Sequence, residues 1–247
     1  SYHPMTFAMD KFSSEIGIDF GEGFWQRLPF EFDFVRSMKI ALHEPCAPYD
    51  SSRPAIEESA RREAIFNTLS YWVNELGSQK IILVIGTNTK EVEELRTRMK
   101  DRYEAKRHIC FSTERDQFQQ VQNNEALCQD IIIYGTKGIA TGVDLPRRVG
   151  AVVLLRELNE KPSVADKYEE NVLKRDGRDF TRYKTQQRMK QAIGRGLRCK
   201  TDQVQIVVLG LSLPRRRKFK AYAEMIAPGA PVEIFREQPD GRVSSFF

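Results

Sequence analysis

Nowhere in these 247 residues is there a loop of the form Gly-x-x-x-x-Gly-Lys-Ser/Thr. Such a loop cradles nucleotide phosphates on its backbone N–H groups. No Asp-Glu-x-His or Asp-Glu-x-Asp box follows a strand pattern either. If the chain serves an ATPase, the phosphate loop and the acid that holds magnesium are expected outside it. Cysteine is sparse. The four, Cys46, Cys110, Cys128 and Cys199, include no Cys-x-x-Cys pair, which excludes zinc-finger spacing and a disulfide framework. They read as reduced thiols of a cytosolic protein. No apolar run reaches the roughly 18 residues of a membrane span, and no signal pattern is visible. A soluble, intracellular chain with no membrane partner is expected. The charge excess is small: 39 Lys plus Arg against 34 Asp plus Glu, or +5. Clustering therefore says more than net charge. Basic runs at Arg96 to Arg107, Arg147-Arg148, Lys184 to Lys190 and Arg215 to Lys220 suit either a polyanion or a solvated helix face.

What is present alternates between two periods. Lys80 to Ile85, Asp130 to Tyr134, Ala151 to Leu155 and Val204 to Leu209 are short, nearly continuous apolar runs, the pattern of buried parallel strands. A shorter strand fits His108 to Phe111, where His108 reads as a satisfied strand histidine. Between them lie helical stripes. The first runs from about Ala55 to Leu76 through Ile56, Ala60, Ala64, Leu69, Trp72, Val73 and Leu76, with Gly77 as its stop. Asn88 caps the next helix, with Glu91 as returning partner of a capping box and Val92, Leu95 and Met99 inward. A further helix places Phe118, Val121 and Leu127 inward. Residues 1–50 read as irregular, and Phe30, Phe32 and Phe34 fit core packing. Strands alternating with amphipathic helices give an α/β fold, a mainly parallel sheet covered on both faces. The expected division is a lead-in segment packing on the domain at 1–54, the domain at 55–222, and a tail at 223–247 with one edge strand at Val232 to Phe235.

Three stretches carry chemistry. In Gln186 to Arg198, read as a helix, Gln191, Arg195 and Arg198 share one side, and Met189, Ile193 and Leu197 share another. Guanidinium stays charged and matches phosphate in a bidentate way. Gly194 and Gly196 each cost about 1 kcal/mol in a helix interior, so they imply close backbone approach. The second stretch, Gly135 to Pro146, comes after one strand and precedes another. It holds Thr136, Lys137, Gly142 and Asp144: glycines that free the backbone to wrap a ligand, a hydroxyl and a lysine for phosphate, and one carboxylate. A third site is a strand, a polar turn and a helix start at Thr87 and Asn88, a ready anion site that also fits plain capping.

Gln191, Gly194, Arg195 and Arg198 form Gln-x-x-Gly-Arg-x-x-Arg, which resembles motif VI of superfamily 2 helicases, most of all in the DinG/XPD branch. Gly142, Val143, Asp144 and Pro146 resemble motif V, with Thr141 where the family has Glu. Leu28 to Phe32 resembles a Ser-Pro-Phe-x-Tyr segment, and Met5 to Phe7 loosely the end of motif III. The resemblance implies the second RecA-like motor domain, a three-layer fold, of an ATP-dependent DNA helicase. Arg195, Arg198 and Gln191 would then act at the γ-phosphate of ATP, with Gly142, Asp144 and Gly194 near the nucleotide. Thr87, Asn88, Thr136 and Lys137 would hold backbone phosphates of single-stranded or forked DNA. ATP and Mg2+ would sit mainly on a first RecA-like domain of the same protein. An iron–sulfur cluster, common in the family, would belong to that domain and not to this segment. Movement 5′ to 3′ is the family habit. A divergent member serving a mobile-element or CRISPR-associated nucleoprotein complex, or a module that binds nucleic acid without hydrolysis, stays open. The location implied is the cytoplasm and nucleoid, or the nucleus in a eukaryote. Tyr168, Phe180 and Tyr183, among basic residues, fit base stacking or packing.

Overall fold

The apolar runs form one eight-stranded sheet. In the computed structural model the described residues are 33–44, 54–76, 81–103, 107–110, 123, 130–136, 139, 149–155, 167–175, 177, 180–197, 201–209, 217, 220–221, 223–224, 227–237 and 243–246. They fall within one compact unit, Phe32–Phe247. In chain order the elements are α1 (Phe34–Ser37), β1 (Met38–Glu44), α2 (Pro54–Glu75), β2 (Ile81–Ile85), α3 (Thr89–Arg102), β3 (Arg107–Cys110), β4 (Ile131–Gly135) and β5 (Val149–Leu154). Next come α4 (Lys167–Arg175), α5 (Phe180–Gly194), β6 (Val204–Val208), β7 (Val232–Glu237) and β8 (Val243–Phe246).

The strand order is β3-β4-β2-β5-β6-β1-β7-β8. Every pairing is parallel except the last, β7 with β8. The inner strands are buried on both sides. Ile81, Leu83 and Ile85 of β2 pack with Ile131 and Ile133, Val152 and Leu154, and Met189, Ile193 and Leu197 from α5 and the turn after it. Ile82 and Val84 point the other way, toward Leu69, Trp72 and Val73 of α2 and Val92, Leu95 and Met99 of α3. This period-2 division of each strand between two helical layers is why the runs read as continuous apolar sequence. The three-layer α/β expectation is met.

Two parts of the chain depart from the sequence reading. The lead-in, read as irregular through residue 50, supplies β1, which lies between β6 and β7. Ile40 pairs with Ile206 and with Val232, and Met38, Ile40, Ala41 and Leu42 are buried. Lys39, His43 and Glu44 interrupt the apolar run, so the segment reads as mixed until its neighbours are known. The tail supplies two strands instead of one, β7 and β8. The domain therefore extends beyond 55–222 at both ends. Phe118, Val121 and Leu127 lie outside the described residues, as do the motif III and Ser-Pro-Phe-like segments.

Helices α2 and α3 are joined across their exposed sides. Arg62 Nη1 meets Glu94 Oε2 at 2.9 Å, Arg98 Nη2 meets Glu63 Oε2 at 2.5 Å, and the Arg98 guanidinium lies 4.0 Å above the Phe66 ring. The basic run at Arg96 to Arg107 is thus partly occupied in packing α3 on α2. Trp72 is core, edge-on to Phe235 at 5.1 Å. His108 is satisfied: its Nε2–H donates to the Tyr103 carbonyl at 3.3 Å, leaving Nδ1 to accept from the Tyr134 hydroxyl at 2.9 Å.

Candidate functional site

The parallel sheet has two edges, and the candidate residues divide between them. At the C-terminal edge, β2, β4 and β5 end in register, Ile85 opposite Gly135 and Leu154. Cross-strand bonds also hold the residues just past the strand ends: Gly86 N–H donates to Gly135 O at 2.9 Å and Leu155 N–H to Ile85 O at 3.0 Å. The chain then leaves β2 through exposed Thr87 and Asn88. Asn88 has extended backbone (φ −137°, ψ 126°), and its side-chain oxygen accepts from Lys90 N–H at 2.9 Å. That satisfies one of the donors left open at a helix start. Thr87 and the remaining open N–H groups of the first turn of α3 face the same edge. Thr136, half-buried, comes directly after β4, and its carbonyl accepts from Ile139 N–H at 3.0 Å. The fold brings Thr87, Asn88 and Thr136 to neighbouring strand ends. Gly135 belongs to packing: a Cβ there would overlap Ile139.

The opposite, N-terminal edge receives the end of α5. The helix stops at Gly194, and a tight turn closes it, with Arg195 N–H donating to Ala192 O, Gly196 to Ile193 O and Leu197 to Gly194 O at 3.2–3.3 Å. The expected single helix through Arg198 therefore ends a residue before Arg195. Gln191 is exposed on the last helical turn, Gly194 is exposed at its end, and Arg195 is half-buried in the turn and engaged within the fold. The two glycines differ. A Cβ at Gly196 would overlap the Val204 side chain at the start of β6, whereas one at Gly194 would meet nothing within 4 Å. Close approach is real at Gly196 only. Met189, Ile193 and Leu197 are buried, as their spacing predicts. Lys137, Gly142, Asp144 and Arg198 lie outside the described residues.

A strand of five residues spans about 15 Å, so Thr87, Asn88 and Thr136 are separated from Gln191 and Arg195 by the height of the sheet. The first set offers hydroxyls, an amide and backbone N–H groups. The second offers an amide and a guanidinium. Both are donor sets, suited to anionic oxygens. Among the described residues no group of His, Cys, Asp and Glu could hold a metal ion, and no helix is long and apolar enough to cross a membrane.

The aromatic candidates separate by burial. Phe180 is buried, with Lys184 Nζ 5.4 Å from its ring centre. Tyr183 is half-buried and accepts from Gln187 Nε2 at 2.6 Å. Tyr168 is 80% exposed. Sequence reasoning missed two groups. His43, 1% exposed, has a ring Nε2 without a partner, and burial lowers its pKa to about 4. Arg188, half-buried on α5, has its guanidinium pKa lowered by the same desolvation. A lone histidine in a mixed segment and one arginine within a basic run gave no signal.

Residues 76–226 match the helicase C-terminal domain family. No curated protein matches the chain. Among solved structures, the C-terminal domain of the DEAD-box protein Dbp5 is similar at TM-score 0.50 and 15% identity, covering 83% of this chain and 93% of that one. A Saccharomyces cerevisiae Dbp5 bound to Gle1 and IP6 is similar at 0.53 and 14%, covering 98% and 50%. An apo XPD structure is similar at 0.50 and 15%, covering 81% and 40%. The chain thus spans half or less of these two longer proteins, and at such identities the likeness speaks for the fold. The chain belongs to the helicase C-terminal domain family of the DinG/XPD type, with the fold of the second RecA-like domain of superfamily 2 helicases.

Proposed function

We propose that this chain is the second motor half of an ATP-dependent DNA helicase. The observation that supports this most is the division of two donor sets between opposite edges of one rigid parallel sheet. A motor needs two anionic ligands, nucleotide and nucleic acid, held by one body at separate places. Gln191 and Arg195, with Arg198 as their motif partner, act on the nucleotide side. A guanidinium presented to the γ-phosphate offsets charge on the transferring group as the bond to the leaving oxygen lengthens. Thr87, Asn88 and Thr136, with Lys137, hold backbone phosphates on the other side. Backbone contacts carry no sequence code, so binding is sequence-independent and salt-sensitive.

The described nucleotide-side donors, Gln191 and Arg195, fit phosphate oxygens. They would bind ATP from one side, while a preceding RecA-like domain holds the rest of the nucleotide and its Mg2+. That ion, when bound, neutralises phosphate charge. This chain's part is to supply the arginine when the two domains close, and to carry its DNA contacts with it as they open. Single-stranded DNA of either free or forked form is the substrate, and 5′ to 3′ is the direction this reading favours.

The test is ATP hydrolysis by the full-length protein with and without single-stranded DNA, beside Arg195→Ala and Arg195→Lys. Wild type should show DNA-stimulated turnover, and Arg195→Ala should lose about 10³-fold. Lysine, lacking the planar fork, should recover little. DNA binding without hydrolysis, or a fully active Arg195→Ala, would replace the motor with a binding module.

A further inference from the structure

Helix α4 lies outside the matched motif residues, yet one of its faces has a definite composition. At about 100° per residue, Lys167, Tyr168, Asn171, Lys174 and Arg175 fall within an arc of about 120°, and all five are exposed. The arc holds three cations, one amide and one aromatic ring, and no acid. The helix's two carboxylates lie off this arc. Glu169 and Glu170 are half-buried, and Glu169 Oε2 is bound to Lys184 Nζ of α5 at 2.6 Å, with the two side chains only 18% and 22% exposed. Glu169 is thus turned toward α5, while the arc that faces solvent is basic, with Glu170 at its margin. Tyr168 is 80% exposed on this basic surface, although nothing in a packed core requires a large ring there. It shares a side of the helix with Arg175, two turns further on.

The position of α4 is also informative. It docks on the first turns of α5, through Lys184. Helix α5 ends at the N-terminal edge, against Val204, so its beginning lies toward the C-terminal edge. That is the edge where Thr87, Asn88 and Thr136 gather.

We infer that the exposed face of α4 is a contact surface for single-stranded DNA, in which Tyr168 stacks on a base while Lys167, Lys174 and Arg175 track the phosphates. This rests on the proposal that the chain handles single-stranded DNA, and it adds a base contact to a site otherwise made of backbone contacts. The occupant is set by charge and chemistry. The face is cationic, which suits a polyanion, and its ring suits an unpaired base, since bases within a duplex are already stacked. It reads no sequence, because every base has a flat face.

The experiment is binding of the full-length protein to a fluorescent oligo(dT) strand, to a duplex, and to a strand of the same length with abasic sites. Tyr168→Ala should weaken oligo(dT) binding about fivefold to a hundredfold, and Tyr168→Phe should restore it. The abasic strand and the duplex should not distinguish Tyr168→Ala from wild type. Lys174→Gln with Arg175→Gln should lower the salt slope by about 1.4. At 80% exposure Tyr168 can be replaced without unfolding the domain. If wild type binds oligo(dT) and Tyr168→Ala binds it equally well, α4 is a solvated face and this inference fails while the motor reading stands. If wild type binds no single strand, both fall together. If Tyr168→Ala weakens binding to the abasic strand as much as to oligo(dT), the ring acts through packing and not through stacking, which also overturns the inference.

Discussion

At the C-terminal edge of the sheet the chain turns on small polar residues, Thr87, Asn88 and Thr136. At the N-terminal edge it turns on Gly196, held against Val204, with Arg195 beside it. The first edge is open, its donors held by a cap bond from Lys90 N–H and by cross-strand bonds. The second is set by contact between backbone and a core side chain, which leaves little play. On the proposed reading, the first edge carries a polymer on replaceable contacts of modest strength, and the second places a guanidinium on a fixed support, because misplacement of about 1 Å can cost 10²-fold in rate.

The most severe way to break this comparison is at Arg195. Arg195→Ala, expected to lose about a thousandfold in ATP turnover, should leave the Kd for a single strand within about threefold. Parallel losses in both assays would show that the two edges do not act separately.

The next effect concerns His43, buried at the C-terminal end of β1. Its pKa is lowered from 6.5 to about 4 by desolvation alone. The unfolded histidine takes up a proton below about pH 6.5 while the folded one resists until about 4. Between those values the unfolded state binds more protons, so stability is full above 6.5 and falls as pH drops toward 4. The loss amounts to about 3 kcal/mol at most. Urea midpoints at about pH 7 and about pH 4.5 should differ less in His43→Leu than in wild type. Equal pH dependence in the two would show that the histidine is already solvated.

Smaller effects separate the two glycines. Gly196→Ala forces a Cβ into Val204 and should cost about 1–3 kcal/mol of stability, with part recovered by adding Val204→Ala. Gly194→Ala meets open space and should be neutral or stabilising by up to about 1 kcal/mol. Thermal unfolding of the three variants reads the contrast directly, and a Gly196→Ala variant as stable as wild type would show that the second edge has no fixed support. The smallest effect is at Asn88. Asn88→Ala should lose about 1 kcal/mol with the cap, and Asn88→Ser should retain it. If single-strand binding changes in the same order, cap and phosphate contact share one side chain. If binding ignores the change, Asn88 is a cap only.

Much of this was legible in the residues. The inner strands announced themselves because burial on both sides leaves no polar alternation, and the inward stripe of α5 because Met189, Ile193 and Leu197 recur at helical steps. Asn88 was legible as a cap from residue type and position. The central place of β1 was not. Lys39, His43 and Glu44 make it locally ambiguous, and its only reason to be a strand is that β6 and β7 pair with it on either side. The end of α5 at Gly194 was hidden for a similar reason: the glycines showed that something would be close, but not which of them would meet Val204.

The sequence by itself determined the alternation of strands and helices, the parallel sheet, and the residue types able to meet phosphate, since these depend on local period and side-chain chemistry. Only the tertiary structure decided which of those residues share an edge. It also decided which aromatic is core and which stands in solvent, and which cations are already engaged. Register and burial depend on contacts between residues far apart in the chain, and no local pattern encodes those.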